Sequence, residues 1–204
     1  MLVGWKRLKI QKFNEDGTKL GDLIVIDGKP HEGATVNAEI SGLSRDPINV
    51  AGSNVYYYTA RGGVGEVKVQ LGILDLPEDI SDGLSGFRVD ENKISYVGED
   101  TMPPLCAIEM ESKEDNQDIA LFGFYTGTFS REKISLQTDD PGKAYTPEAE
   151  TWNYTPISSK ADATNGEVMQ KFIGNAKTSA DTIKIFEDQL FNPAGSDNPD
   201  DPGK

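Results

Sequence analysis

The chain reads as a mainly β protein, a two-sheet sandwich or barrel with a short flanking helix mid-chain and a helical extension near its C-terminal end. Three observations predict this. Apolar and polar residues alternate in one segment after another, most cleanly in EVKVQLGIL (66–74). Gly, Pro, Asn and Asp punctuate those segments at short intervals. Helical spacing is confined to LPEDISDGLSG and TSADTIKIFEDQLF.

Taken in order, Trp5, Leu8 and Ile10 begin an extended N-terminal segment, and Asp16-Gly17 marks a hairpin turn within FNEDGTKLGD. LIVID (23–27) is a short apolar strand closed by Gly28. In ATVNAEISGL (34–43), Val36, Ala38 and Ile40 share a face, and SRDPINVAG (44–52), with Pro47 and Gly52, reads as a loop. In EVKVQLGIL, Val67, Val69, Leu71 and Ile73 point one way while Glu66, Lys68 and Gln70 point the other.

Pro77 suits the first turn of a helix, Glu78 and Asp79 complement its positive end, Ile80 and Leu84 share a face, and Gly86 ends it. FRVDENKISYVGED predicts two short strands about a DEN turn. Strands follow at LCAIEME (105–111), DIALFGFYTGTFS (118–130) and KISLQT (133–138), the last two alternatively one bent strand. DDPGKAYTP is a loop. EAETWNYTPIS (148–158) is a late strand with Ala149, Thr151 and Asn153 opposite Glu150, Trp152 and Tyr154.

Composition then shifts. SKADATNGE (159–167) is linker-like, and VMQKFIG fits either strand or helix. TSADTIKIFEDQLF (178–191) is a helix, with Thr178 and Asp181 spaced as a capping pair and Ile183, Phe186 and Leu190 on one face. NPAGSDNPDDPGK (192–204) has almost no apolar residue and reads as a disordered acidic tail. The expected organisation is a β-rich domain over 1–158, an extension over 159–191 and the tail over 192–204.

The 204 residues suffice for a real core without disulfides, since a domain of this size buries roughly 70% of its unfolded surface. The lone Cys106, in the apolar context LCAIEM, forms no intrachain disulfide and points to folding in a reducing compartment. No apolar run is long enough to span a membrane, and MLVGWKRLKIQK reads as a strand and not as a signal peptide. A net charge of −14 argues against gripping nucleic acid, which requires clustered Lys and Arg, and an acidic surface repels DNA.

Gly62, Gly63 and Gly65 precede a strand and lack both the dinucleotide fingerprint and a P-loop end, so they read as a pliable loop. His31 is the sole histidine, which excludes a His/Cys metal site, and no nucleophile elbow supports a Ser-His-Asp arrangement. Glu109 and Glu111 share a strand face, as a carboxylate pair in a glycosidase could. NEDGTKLGD and DENKISYVGED match a calcium loop only loosely and default to turns.

On a regular strand Tyr56 and Tyr58 share a face and Tyr57 opposes them, so the triplet serves either sandwich packing or a subunit interface. These residues predict no catalytic, cofactor or metal site, and so a binding or assembly protein in place of an enzyme.

The order of segments resembles the major tail protein, or tail tube protein, of long non-contractile-tailed bacteriophages (siphophages). The resemblance runs over about residues 50–175 through NVYYYTARGGVGEVKVQLGILDLPEDI, GFRVDENKISYV, PPLCAIEMES, IALFGFYTGTFSREKIS, TPEAETWNYTPIS and GEVMQKF. It implies two packed sheets with a flanking helix, in subunits that form hexameric rings stacked into a tube. The implied partners are the tape-measure protein, the tail terminator and baseplate or distal tail proteins, with DNA passing through the lumen unheld. The implied location is the virion tail, after assembly in the host cytoplasm. Tyr56, Tyr57, Tyr58, Arg61, Ile183 and Phe186 are the candidate subunit-interface residues. A carbohydrate-binding β-sandwich from a baseplate or cell surface is the alternative, and an acidic glycosidase using Glu109 or Glu111 a third reading.

Overall fold

The computed structural model describes residues 1–192 except 61, 137, 139, 140 and 145. Its strands are β1 (Leu2–Phe13), β2 (Lys19–Ile26), β3 (Ala34–Ser41), β4 (Ile48–Gly52), β5 (Val55–Ala60) and β6 (Lys68–Leu74). After helix α1 (Glu78–Ser85) come β7 (Arg88–Val89), β8 (Ser95–Tyr96), β9 (Leu105–Glu114), β10 (Ile119–Ser130) and β11 (Glu150–Ile157). Strand β12 (Met169–Gly174) and helix α2 (Ala180–Phe191) complete the chain. The protein is mainly β, as its alternation predicts. One eight-stranded antiparallel sheet runs β2-β1-β9-β10-β11-β6-β3, with β12 added beside β10, while β4-β5 and β7-β8 form separate hairpins.

The sheet folds over on itself. Leu8 and Ile10 of β1, Val69, Leu71 and Ile73 of β6, Ile108 of β9, and Trp152 and Tyr154 of β11 all enter one buried cluster. Fully burying each large apolar side chain contributes about 1.5–3 kcal/mol, so this cluster is the main stabilising element. Phe129 packs edge-on to Trp152 with ring centres 6.4 Å apart and lies 5.0 Å from the Tyr154 ring. The buried Tyr154 hydroxyl donates to the Cys106 carbonyl at 2.8 Å, which removes the cost of an unpaired hydroxyl in the core. Cys106 lies in that core, as its apolar context suggests, and burial pushes its thiol up to about 12.

A second cluster forms on the outer face of β9 and β10, where Phe186, Leu190 and Phe191 of α2 cover Phe13, Ala107, Leu121 and Tyr125. Within β10, Tyr125 joins the outer cluster while Phe129 joins the inner one, although strict alternation would put them on one face. The register shift against β9 between Phe124 and Gly127 accounts for the exchange.

Several expectations are corrected. Residues 44–52 are not all loop: β4 occupies Ile48–Gly52, a five-residue strand hidden in the sequence by Pro47 and the terminal Gly. Residues 133–136 form no strand and do not extend β10 as one bent strand. The linker-like 159–167 contains a 3-10 turn at Asp162–Thr164, with the Ser159 and Thr164 hydroxyls 2.8 Å apart. Helix α2 starts at Ala180 with Ser179 at its N-cap, and no side chain caps it. The Thr178 hydroxyl instead donates to the Asn175 carbonyl at 3.4 Å, so the Thr178–Asp181 pair does not form. The ambiguous VMQKFIG resolves as a strand because the free edge of β10 accepts it. The acidic tail from 193 onward lies outside the described residues.

A methyl group at Gly127 would fall 2.5 Å from the Tyr154 ring and 2.6 Å from the Thr155 carbonyl oxygen. Gly127→Ala is therefore expected to cost about 1–3 kcal/mol, because the neighbouring backbone cannot yield. Urea unfolding checks this through a lowered midpoint at unchanged slope.

Candidate assembly interface

Residues 43–65 leave the body as a loop pinched at its root, where the Gly65 amide donates to the Gly42 carbonyl at 2.9 Å. Gly42 has φ +75° and lies against the Glu66 carbonyl, so only a residue lacking Cβ fits that crossing. Beyond the pinch, β4 and β5 pair with each other and with no other strand. A two-residue turn joins them, with both Ser53 (φ 52°) and Asn54 (φ 64°) left-handed. That is the geometry of a type I′ turn, which matches the twist of a two-stranded ribbon.

Register sets the faces of this hairpin. Val50 pairs with Tyr58, but the next residue, Ala51, pairs with Tyr56, leaving Tyr57 as the inserted residue of a bulge. Tyr56 and Tyr58 therefore lie on opposite faces, which overturns the simple period-two expectation. Tyr57 sits beside Gly52, where a Cβ would approach the Tyr57 Cβ to 3.2 Å. One face thus carries Ile48, Val50, Val55, Tyr57 and Tyr58. The other carries Asn49, Ala51, Tyr56 and Thr59, with the Thr59 hydroxyl donating to the Asn49 side chain at 2.9 Å.

None of these aromatic rings is core: Tyr56 is 76% exposed, Tyr57 83% and Tyr58 58%. Tyr57 and Tyr58, together with Ile48, Val50 and Val55 on the same face, present on the order of 300–600 Å², as much as the largest apolar patch of a typical monomer. An isolated two-stranded hairpin is marginal in water, and this one leaves its apolar face without a partner among the described residues.

The other candidates fall elsewhere. Arg61 lies outside the described residues. Phe186 is buried in the second cluster and Ile183 packs against it, so both are committed to holding α2 on the sheet. Gln170 of β12 reinforces that contact, donating to the Phe186 carbonyl at 2.7 Å and accepting from the Tyr125 hydroxyl at 3.1 Å.

The carboxylate pair is also committed. Glu111 meets Lys6 at 2.8 Å and Arg7 at 3.5 Å, and Glu109 meets Lys9 at 2.8 Å. Lys9 also donates to Glu187 of α2 at 2.7 Å, so one ammonium ties β1 to both β9 and α2. Lys9 is the ion-pair partner of Glu109, whose two oxygens are buried and otherwise unpartnered. Burial raises the Glu109 carboxyl above its ordinary 4.5, against the pull of Lys9. Burial also works against the Lys9 charge, but its two carboxylates outweigh this and lift it above 10.5.

The two acidic turns close on themselves. Asp90 accepts from the Ile94 amide at 2.9 Å and the Asn92 amide at 2.8 Å, and these bonds lower its carboxyl below 3.8. Asp16 accepts from the Thr18 hydroxyl at 2.6 Å and the Thr18 amide at 2.9 Å, with the same effect. His31 is exposed in a loop, its amide donating to Asp75 at 3.0 Å. Among the described residues no three His, Cys, Asp or Glu side chains gather as a metal would require.

The family model for phage tail tube protein matches residues 9–190. The chain belongs to the phage tail tube protein family. It is a structural protein of a bacteriophage virion tail, as the order of its motifs implied. No curated protein and no solved structure matches it. The family match extends to residue 9, well before the segments that carried the resemblance. It therefore takes in the second half of β1, from Lys9 to Phe13, together with β2 and β3. For a tube-building protein, an uncommitted apolar hairpin is the feature that the body of the fold leaves unexplained.

Removing Lys9 strands Glu109 in a buried site. Lys9→Met is expected to cost about 3–5 kcal/mol at neutral pH. The raised Glu109 carboxyl means that the native state binds this proton more tightly than the unfolded state. Stability from this group therefore falls as pH rises from 4.5 through the raised value. Most of the loss in Lys9→Met should accordingly return in acid, and Lys9→Met/Glu109→Gln should recover it at neutral pH. Urea unfolding at paired pH values checks both signs.

Proposed function

We propose that this tail tube protein is the repeating subunit of a long non-contractile tail. Copies close into hexameric rings that stack around the tape-measure protein, and the finished tube conducts DNA at ejection. Its role is assembly and not catalysis. The observation that carries the reading is the β4–β5 hairpin, with its exposed tyrosines and no partner strand among the described residues. Tyrosine and other aromatics are enriched where protein surfaces meet, and charged residues are depleted at the centre of such contacts.

The exposed first residues of β1 and the outer side of α2, where Ile185 is exposed, would serve as further bridging surfaces. The net charge of −14 suits a conduit, because a predominantly acidic wall does not trap phosphates. The same charge makes subunits repel one another and keeps them soluble until a tail initiator and tape measure nucleate stacking. The tail terminator and the baseplate or distal tail proteins would then bound the tube at its two ends. Assembly in the host cytoplasm and residence in the virion tail follow from this reading.

Negative-stain electron microscopy of concentrated protein tests the proposal. Rings with a central channel, stacked into tubes, are expected. Monomers that persist at every concentration, and in the presence of initiator and tape-measure proteins, would overturn it.

A further inference from the structure

The folded sheet does not close. Its end strands, β2 and β3, do not pair, and β2 covers β1 only from Leu8 to Phe13. The first half of β1 therefore has β9 on one side and an open edge on the other. Strand β3 approaches that edge, and the Thr35 hydroxyl donates to the Trp5 carbonyl at 2.9 Å. Past this single bond the two walls part. They leave a groove of about 470 Å³ lined chiefly by Leu2, Trp5, Val36, Ala38, Ile40 and Phe122. Trp5, Ile40 and Phe122 pack directly against the main core, so the groove is that core's open mouth.

We propose that this mouth receives the β4–β5 hairpin of a second copy of the chain. The inference rests on the self-assembly reading above and names the surface that assembly uses. Charge points to this occupant. In a chain with 26% charged residues, the run from Pro47 to Ala60 contains none, and no charged side chain lines the mouth. Copies carrying −14 each repel over most of their surface, and these are two places where they can touch without opposing like charges.

Area points the same way. On one face of the hairpin, Tyr57 and Tyr58 with Ile48, Val50 and Val55 supply a large part of the roughly 800 Å² per partner that a standard stable interface buries. The mouth also offers unpaired strand edges, which a two-stranded ribbon can extend. The hairpin is not folded over its own mouth, because its apolar face is exposed in the single chain. Donor and acceptor are different surfaces of one chain, so the contact runs head to tail and propagates into rings or filaments.

Cross-linking tests the pairing. Val55→Cys marks the hairpin and Ala38→Cys the mouth, and the native Cys106 is buried with its thiol pushed up to about 12, so it stays silent. At concentrations that give tubes, a short bismaleimide should produce a covalent dimer in the mixture of the two variants and not in either alone. Adding Tyr57→Ser or Tyr58→Ser to the hairpin partner should cut the yield about tenfold or more, as expected of a central aromatic anchor. Ala38→Arg should abolish tubes yet still pair, through its intact hairpin, with a hairpin-defective chain.

Tubes without cross-linked dimer would overturn the mouth assignment while leaving the tube reading intact. So would a link formed only within one chain in the Ala38→Cys/Val55→Cys double variant. Absence of any assembly would overturn the tube reading itself.

Discussion

Strand β10 is the element on which the rest of the fold leans. Of its twelve residues, Ile119–Phe124 and Gly127 pair along one edge with β9. The other edge is divided, with Ile119–Phe124 paired to β12 and Thr126–Ser130 paired to β11. One face supplies Phe124 to the inner core, while Leu121 and Tyr125 on the opposite face receive helix α2. The break in register between Phe124 and Gly127 makes this division possible, because it turns Phe129 inward just where β11 takes over from β12. Gly123 and Gly127 mark the closest approaches. Leu190 of α2 sits where a Cβ of Gly123 would be, and Tyr154 where one of Gly127 would be. A fold with two cores thus depends on one strand that is thin at two points and bent between them.

The ion cluster at Lys9 shows a related economy. The α2 helix has no side-chain cap at its N-terminus and no basic residue in its last turn, so its own local signals are weak. Tertiary contacts hold it: the apolar stripe on the outer sheet face, the Gln170 amide on a backbone carbonyl, and Glu187 on Lys9. Most helical stability in proteins has this origin. A buried ion pair such as Lys9–Glu109 adds little net stability, but it penalises any arrangement that separates the partners. It therefore specifies how β1, β9 and α2 sit together more than it strengthens them.

Much of this was legible in the sequence where burial writes a pattern. Val67, Val69, Leu71 and Ile73 alternate because one face of β6 is core. Trp152 and Tyr154 do the same in β11, and Pro77 through Gly86 carry both ends of a helix. The signal failed where burial writes none. Strand β4 is five residues with no buried side chain, so INVAG looked like loop. The bulge at Tyr57 is a matter of cross-strand register, which no single-strand periodicity reports. Thr178 and Asp181 had the spacing of a cap, but the turn at Asn175 took the threonine hydroxyl. The open mouth was invisible for a further reason. Val36, Ala38 and Ile40 read as one face of a strand, and only the structure shows that Val36 and Ala38 stay exposed while Ile40 reaches the core.

The unburied surfaces and the missing closure are two sides of one constraint. A sheet that closed fully, with its hairpin folded against it, would satisfy every edge and leave nothing for a neighbour. A sheet left open with a free apolar hairpin would be an aggregation hazard if it were not restrained. Here the restraints are local. The pinch at Gly42 and Gly65 and the left-handed turn at Ser53–Asn54 give the hairpin one shape. The surrounding negative charge weakens any encounter that does not align the two neutral surfaces. In the proposed tube, the acidity that would let DNA pass unheld would also make misaligned subunit contacts unfavourable. On the proposed pairing, charge over the surface and neutrality at two places on it would act as a single device for ordered association.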